Sequence, residues 1–402
     1  MSVSQPKRRE LRHRENDGGP APITNPRRNQ ARDPLPSGPF MEWATKRRKA
    51  SSKIRLLRLA LAATGITFLI AGCPSESEDP SASRPTSSVP TTSLFAVGDT
   101  GSPWGLAPQL FEGQLAVGVA MQRAHERRPI DAFILLGDNF YPNGLIAKEL
   151  LPRIAENVAR PYCAFVDPSP ELAVHLEDAC IKSEQPRPKI FAVIGNHDLT
   201  APGSHDLQRN TIPRFVQNWE MPAADGPAIR ELPGGLSLIF LNSDYPWGDL
   251  ETQRLTLALE NAQGPWRVIV GHRPPIAGHP QLSQMIAQAA ERSDRIVHAY
   301  LAGHVHVLAA IRGALPAPAL TVIAGSGSHA ERQDTTEYRI EGADVILEAL
   351  GFARLDVMAE STPARLEVTL FQTPQSAALA FLGTSTIAHY EIDLDGSIAR
   401  TD

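Results

Sequence analysis

Five short apolar runs in this chain each end in glycine followed by residues able to bind a metal. Leu94-Phe95-Ala96-Val97 runs into Gly98-Asp99, and Ala132-Phe133-Ile134-Leu135-Leu136 into Gly137-Asp138-Asn139-Phe140-Tyr141. Ile190-Phe191-Ala192-Val193-Ile194 leads to Gly195-Asn196-His197-Asp198, Val268-Ile269-Val270 to Gly271-His272, and Ala299-Tyr300-Leu301-Ala302 to Gly303-His304-Val305-His306. The donor set is therefore Asp99, Asp138, Tyr141, Asn196, His272, His304 and His306. A carboxylate can bridge two cations, imidazole suits Fe, Zn or Mn, and phenolate is a hard anionic donor that favours a trivalent ion. His304 and His306 are two residues apart, so on one strand they face the same side. Two cations about 3.5–4 Å apart activate water and stabilise both oxygens of an in-line displacement. Three anionic donors against a trivalent and a divalent ion leave a positive centre, which attracts a phosphate anion. Neither a Ser-His-Asp elbow nor a Walker loop offers another phosphoryl chemistry.

The elements that must position these residues follow from the same pattern. Short apolar, β-branched runs read as buried strands. The glycine after each lets backbone approach the site closely, and in α/β sheets sites form at the carboxyl ends of strands. Between the strands, residues 109–128 have helical character with Phe111, Leu115 and Val119 at spacings of four. Residues 249–262 carry Leu255, Leu259 and Ala262 on one face, and 281–292 look similar. Alternating strands and helices predict an α/β domain. Residues 351–357, 365–371 and 389–394 are short strands with no helix between them, predicted to close a mixed sheet through antiparallel hairpins.

Composition sets the boundaries of this reading. The chain has 402 residues, 42% apolar and 21% charged, enough for a large buried core and unlike a disordered or collagenous chain. The net charge of −5 is uneven: residues 1–58 hold 15 Lys/Arg against 5 Asp/Glu, leaving 24 against 39 for the remainder. Basic charge confined to one terminal block excludes nucleic acid as a partner of the folded part. Three cysteines are too few for a disulfide scaffold. No apolar run reaches the roughly 20 residues of a membrane-spanning helix.

The basic block precedes the apolar run 59–71, which meets Gly72-Cys73. A basic region, a short apolar stretch and small residues at a cut site read as an export signal. Leu69-Ile70-Ala71-Gly72-Cys73 resembles the lipobox of bacterial lipoproteins, in which the cysteine becomes the lipid-bearing first residue. The expected organisation is a disordered basic extension over 1–40 and a signal over 41–72, with Met41 its ordinary start. A Pro/Ser/Thr-rich linker over 73–93 and a catalytic domain over 94–402 follow. The expected location is the bacterial cell envelope, exported and held to a membrane by lipid at Cys73, on the outer membrane or the periplasmic face. Export permits a Cys163–Cys180 disulfide, which would close a loop worth roughly 3 kcal/mol.

The ordered motifs GD, GDNFY, GNHD, GH and GHVH resemble those of the calcineurin-like metallophosphoesterases, and within them the purple acid phosphatases of the small tartrate-resistant type. Most of that superfamily carries Asp-x-His at the first motif. Here Asp99-Thr100-Gly101 lacks the histidine, and Tyr141, three residues after Asp138, supplies the tyrosine that purple acid phosphatases use instead. The resemblance runs from Leu94 to about Leu394 and implies two packed mixed β-sheets flanked by helices, an αββα sandwich. It implies Fe(III) held by Asp99, Asp138, Tyr141 and His306. It further implies Fe(II), Zn or Mn held by Asp138, Asn196, His272 and His304, with Asp138 bridging. His197 is implied as a catalytic residue that contacts the phosphate and assists the leaving group, with Asp198 orienting its loop. The chain departs from the family at Thr100, where tryptophan is usual. His279 is the candidate for a second catalytic histidine, at a shorter interval after His272 than usual. His329 is a further histidine that could reach the same crevice.

The implied activity is hydrolysis of phosphate monoesters by metal-hydroxide attack. The alternatives are a phosphodiesterase on the same dimetal core and a non-catalytic surface protein with a vestigial site. Specificity is expected to reside in loops such as 159–189 and 199–235.

Overall fold

The computed structural model describes residues 89–401 apart from 102–108, 177–182, 184, 223–225, 245, 277 and 332–339. The signal, Cys73 and Cys180 lie outside the described residues, so the lipid anchor and the disulfide expected above fall there as well. The described residues form one unit. In chain order its strands are β1 (Thr92–Val97), β2 (Ala132–Leu135), β3 (Lys189–Ala192), β4 (Trp219–Glu220), β5 (Ala228–Leu232), β6 (Leu236–Phe240), β7 (Trp266–Val270) and β8 (Ala299–Ala302). They continue with β9 (Leu308–Arg312), β10 (Leu320–Ala324), β11 (Val345–Leu347), β12 (Gly351–Met358), β13 (Arg365–Gln372), β14 (Ser385–Ile392) and β15 (Ile398–Arg400). The long helices are α1 (Gln109–Arg127), α2 (Asp249–Asn261) and α3 (Pro280–Ser293). Among the described residues no helix is long and apolar enough to cross a membrane.

Eight strands form one sheet, in the order β15-β14-β13-β12-β1-β2-β3-β4, and seven form the other, β11-β9-β10-β8-β7-β6-β5. Both are mixed. β1, β2 and β3 run parallel, while β12 pairs with β1 antiparallel and leads into the hairpins of β13, β14 and β15. In the second sheet β6, β7, β8 and β10 run parallel. The period-two side-chain alternation divides each strand between two cores. Leu94, Ala96 and Ile134 face inward against Leu238, Val268, Leu301 and Val322 of the other sheet. Phe95, Val97 and Phe133 face outward and pack beneath α1. Ile239, Ile269 and Tyr300 do the same beneath α2 and α3. Strands buried on both faces read as continuous apolar runs, which is why these stretches stand out in the sequence. The expected αββα sandwich is the fold.

Two expectations change in detail. The core face of α1 is Ala116, Val117, Ala120 and Met121, whereas Leu115 is 40% exposed. The helix docks through its small residues: a Cβ on Gly118 would lie 2.1 Å from the carbonyl oxygen of Pro161, so backbone closeness rather than leucine bulk defines the contact. The strand placed at 389–394 is Ser385–Ile392, and its pairing with β13 carries a register irregularity opposite Leu370 and Phe371.

Candidate metal centre

Each donor sits just past the carboxyl end of a parallel strand: Asp99 after β1, Asp138 and Tyr141 after β2, Asn196 after β3, His272 after β7, and His304 and His306 after β8. The side chains converge in two groups. In one, the Tyr141 hydroxyl lies 3.0 Å from Asp99 Oδ1 and 3.0 Å from His306 Nε2, and these two atoms are 3.4 Å apart. In the other, Asn196 Oδ1 lies 3.1 Å from His272 Nε2 and 2.9 Å from His304 Nδ1. Asp138 Oδ1 lies 3.5 Å from His272 Nε2, and Asp99, Asp138 and His272 have donor atoms within 4.8 Å of one another. Donors spaced at 2.9–3.5 Å match the edges of a polyhedron whose metal–ligand bonds are about 2.0–2.2 Å. The residues therefore fit two cations, with Asp138 between the groups.

Outer contacts aim these donors. Nδ1 of His272 faces the carbonyl of Leu136 at 2.8 Å, which turns Nε2 inward. Nδ1 of His306 lies 2.9 Å from Glu331 Oε1 with the same effect. Asp99 Oδ2 accepts the backbone N–H of His304 at 2.8 Å, and Asp138 Oδ1 accepts that of His197 at 2.9 Å. Asp198 accepts backbone N–H groups of Asn139, Phe140 and Gly195 at 3.0, 3.0 and 3.1 Å, binding the second motif to the third. Asp99, Asp138 and His304 hold positive φ angles of 58°, 53° and 69°. Strained backbone at non-glycine residues is a common mark of sites whose surroundings over-determine them.

Electrostatics also call for cations. Burial raises the Tyr141 hydroxyl well above its usual range, and the neighbouring Asp99 and Asp138 charges raise it further. Burial and Asp99 raise Asp138. Burial opposes ionisation of Asp99 too, but the facing His306 and His272 hold it below the ordinary value. His306 loses basicity to burial and regains more from Asp99 and Glu331, reaching about 9. Buried anionic donors crowded together are stable when a metal ion supplies the countercharge.

The family model of the calcineurin-like phosphoesterases matches residues 93–308, more than half of the chain and all five motifs. This protein belongs to the calcineurin-like phosphoesterase family. Metallophosphoesterases bind two metal ions and hydrolyse phosphoesters, in keeping with the two donor groups. Comparison with curated proteins by sequence finds no match. Among solved structures, the phosphoesterase is similar to GAP50, the anchor in the inner membrane complex of Plasmodium, at TM-score 0.53 and 13% identity over 75% of this chain and 88% of that one. PhoD aligns at TM-score 0.50 and 12% identity over 79% and 73%. A purple acid phosphatase from yellow lupin seeds aligns at 0.44 and 14% over 70% and 51%.

The phosphoesterase places His197, His279 and His329 around this centre. His197 is half-buried, its ring 4.5 Å from that of Tyr141 and its Nδ1 2.7 Å from the carbonyl of Pro142. His279 is buried beside the second group, its ring 5.4 Å from that of His304, and burial together with Arg273 lowers it to about 4. His329 stands beside the first group, its ring 4.1 Å from that of His306. It arrives there because Ser328 Oγ donates to the carbonyl of Asp99 at 2.6 Å. Arg273 and Asp244 were not singled out in the sequence. Arg273 Nη1 lies 3.0 Å from His304 Nε2, and its Nε donates to Asp244 Oδ1 at 2.5 Å. The available signal was a basic residue directly after the Gly271-His272 motif. A cavity of about 220 Å³ opens nearby, lined by Gly226, Pro227, Leu241, Asn242 and Trp247, so part of the 199–235 segment forms its wall. The Trp247 ring packs 6.0 Å from that of His279.

Proposed function

We propose that this phosphoesterase is a phosphate monoester hydrolase of the purple acid phosphatase type. The observation that carries this reading is the triangle of Tyr141, Asp99 and His306, with the phenol oxygen 3.0 Å from each partner. A phenol, a carboxylate and an imidazole so arranged suit Fe(III), with Asp138 as the fourth donor. Asp138, Asn196, His272 and His304 suit Fe(II), Zn or Mn. When bound, the two ions supply an activated water and a positive seat for phosphoryl oxygens. The chain's own contribution is orientation and proton delivery. The carbonyl of Pro142 occupies Nδ1 of His197, so the other ring nitrogen is the one to hand a proton to the departing alcohol oxygen. His279, neutral near pH 7 in its buried setting, lines the centre without adding charge. From its signal-like N-terminus we also propose an exported enzyme held to the cell envelope by lipid at Cys73.

The test is metal analysis of purified protein combined with a visible spectrum and an aryl phosphate assay. Two metals per chain, a tyrosinate–Fe(III) absorption and turnover of 4-nitrophenyl phosphate are expected. A colourless protein loaded only with Zn or Mn would exclude the purple type. Absent turnover with both metals bound would exclude the enzyme.

A further inference from the structure

We propose that Arg273 is a substrate-binding residue that selects the three-oxygen phosphate of a monoester over the two-oxygen phosphate of a diester, an inference that rests on the phosphoesterase reading above. Arg273 follows His272 directly, at the carboxyl end of β7, and the fold invests heavily in its position. Ser243 Oγ accepts the backbone N–H groups of both His272 and Arg273, at 2.9 and 2.7 Å. The carbonyl of Arg273 accepts the Tyr300 hydroxyl at 2.9 Å. Its Nε donates to Asp244 Oδ1 at 2.5 Å, and the Asp244 side chain is only 4% exposed. Backbone and side chain are thus anchored separately, and Asp244 serves as the positioning residue.

The anchored guanidinium ends beside the second donor group. Nη1 lies 3.0 Å from His304 Nε2, and the other nitrogen of the same ring lies 2.9 Å from Asn196 Oδ1. One imidazole therefore separates the arginine from the donor atoms. Arginine has donors only, so here it uses the lone pair of His304 Nε2. An imidazole that gives Nδ1 to a cation carries its proton on Nε2, and two donors do not pair. In that state Nη1 exchanges His304 for an acceptor in the crevice, and phosphate oxygens match the guanidinium fork. A diester has two non-bridging oxygens, which a pair of cations can engage. A monoester has a third oxygen and one more negative charge, which falls to Arg273.

The experiment compares wild type, Arg273→Gln and Arg273→Lys, each loaded with two metals. Turnover of 4-nitrophenyl phosphate and bis(4-nitrophenyl) phosphate is measured alongside calorimetric binding of inorganic phosphate. Losing a charge-assisted hydrogen bond corresponds to about tenfold or more. Arg273→Gln is therefore expected to lower the monoester-to-diester ratio of kcat/KM, and to weaken phosphate binding, by about that factor. Lysine, which keeps the charge without the fork, is expected to lie between. An unchanged ratio with unchanged phosphate affinity overturns the proposal, as does a loss of bound metal in Arg273→Gln, which would make the residue structural. If metal-loaded wild type hydrolyses neither ester, the enzyme reading fails, and the phosphate calorimetry alone decides whether Arg273 binds the anion.

Discussion

The hydroxyl of Tyr141 donates to Asp99 Oδ1 at 3.0 Å although the two residues lie 42 positions apart. β1 and β2 are parallel neighbours in register, Val97 opposite Leu135, so the loops that follow them meet. Tyr141→Phe removes one oxygen and leaves the ring packed against His197. The expected outcome is an iron-loaded protein without visible absorption, and a metal-free protein less stable by about 1 kcal/mol, the usual worth of one hydrogen bond. The spectrum and a urea titration check it. Visible absorption that survives in the variant would remove Tyr141 from the proposed iron site.

Asp138 and His197 should separate metal binding from proton delivery. Asp138 lies against His272 and stands between the two donor groups. Asp138→Asn is expected to lose bound metal and turnover together. His197→Ala is expected to keep both metals and lose about 10²- to 10⁴-fold in turnover, the range of a general acid. Metal content by mass spectrometry and aryl phosphate kinetics read both variants. Retained turnover in Asp138→Asn would overturn the dimetal assignment.

How much of this was legible in the sequence depended on whether a strand announces itself by its end. β1, β2, β3, β7 and β8 run into glycine and a donor, and all were placed from that pattern. β6 and β10 are as fully buried, but they end in Leu241-Asn242 and Gly325-Ser326, and neither end carries a metal donor. Missing β6 concealed Asp244, and with it the partner of Arg273, because only strand order puts the end of β6 beside the end of β7. His329 was left open for a similar reason. The loop after β10 crosses to the other sheet, where Gly327 N–H donates to the carbonyl of Gly98 at 3.1 Å. Periodicity carries no information about such contacts between sheets. Of the α1 residues named from spacing, Val119 packs against the core and Leu115 does not, because small residues make the closest contact and spacing rules weigh large ones.

Gly195 should be irreplaceable even by alanine. A Cβ there would lie 2.2 Å from Asp138 Oδ1 and 2.3 Å from its backbone nitrogen, and neither atom can yield without moving the carboxylate. Gly195→Ala is expected to reduce metal affinity at least about tenfold and to cost about 1–3 kcal/mol of stability, as overpacking does. Gly226→Ala is the control, since its Cβ would meet only the flexible Arg254 side chain, at 3.6 Å or more. Calorimetric metal titration and urea unfolding of both variants check the contrast. Equal metal affinity in the two would show that the close approach is not needed.

His298 should set part of the acid limit of stability, far from the metal centre. Its ring is buried against Trp266, with centroids 5.0 Å apart. Nδ1 accepts the backbone N–H of Arg267 at 3.1 Å, and Nε2 faces the carbonyl of Leu394 at 3.2 Å. These contacts require the neutral ring, because an imidazolium would set one N–H against another. Burial lowers the ring from 6.5 to about 4. The unfolded chain therefore binds this proton at a higher pH than the folded one. The stabilising contribution is fully present above about pH 6.5 and is lost as pH falls through about 4. Between those limits wild type should lose about 2–3 kcal/mol through this residue. His298→Gln should be less stable at pH 7.5 and show a shallower decline toward pH 4.5. Urea midpoints of both proteins across that range measure it, and parallel declines would show that His298 does not titrate in the folded state.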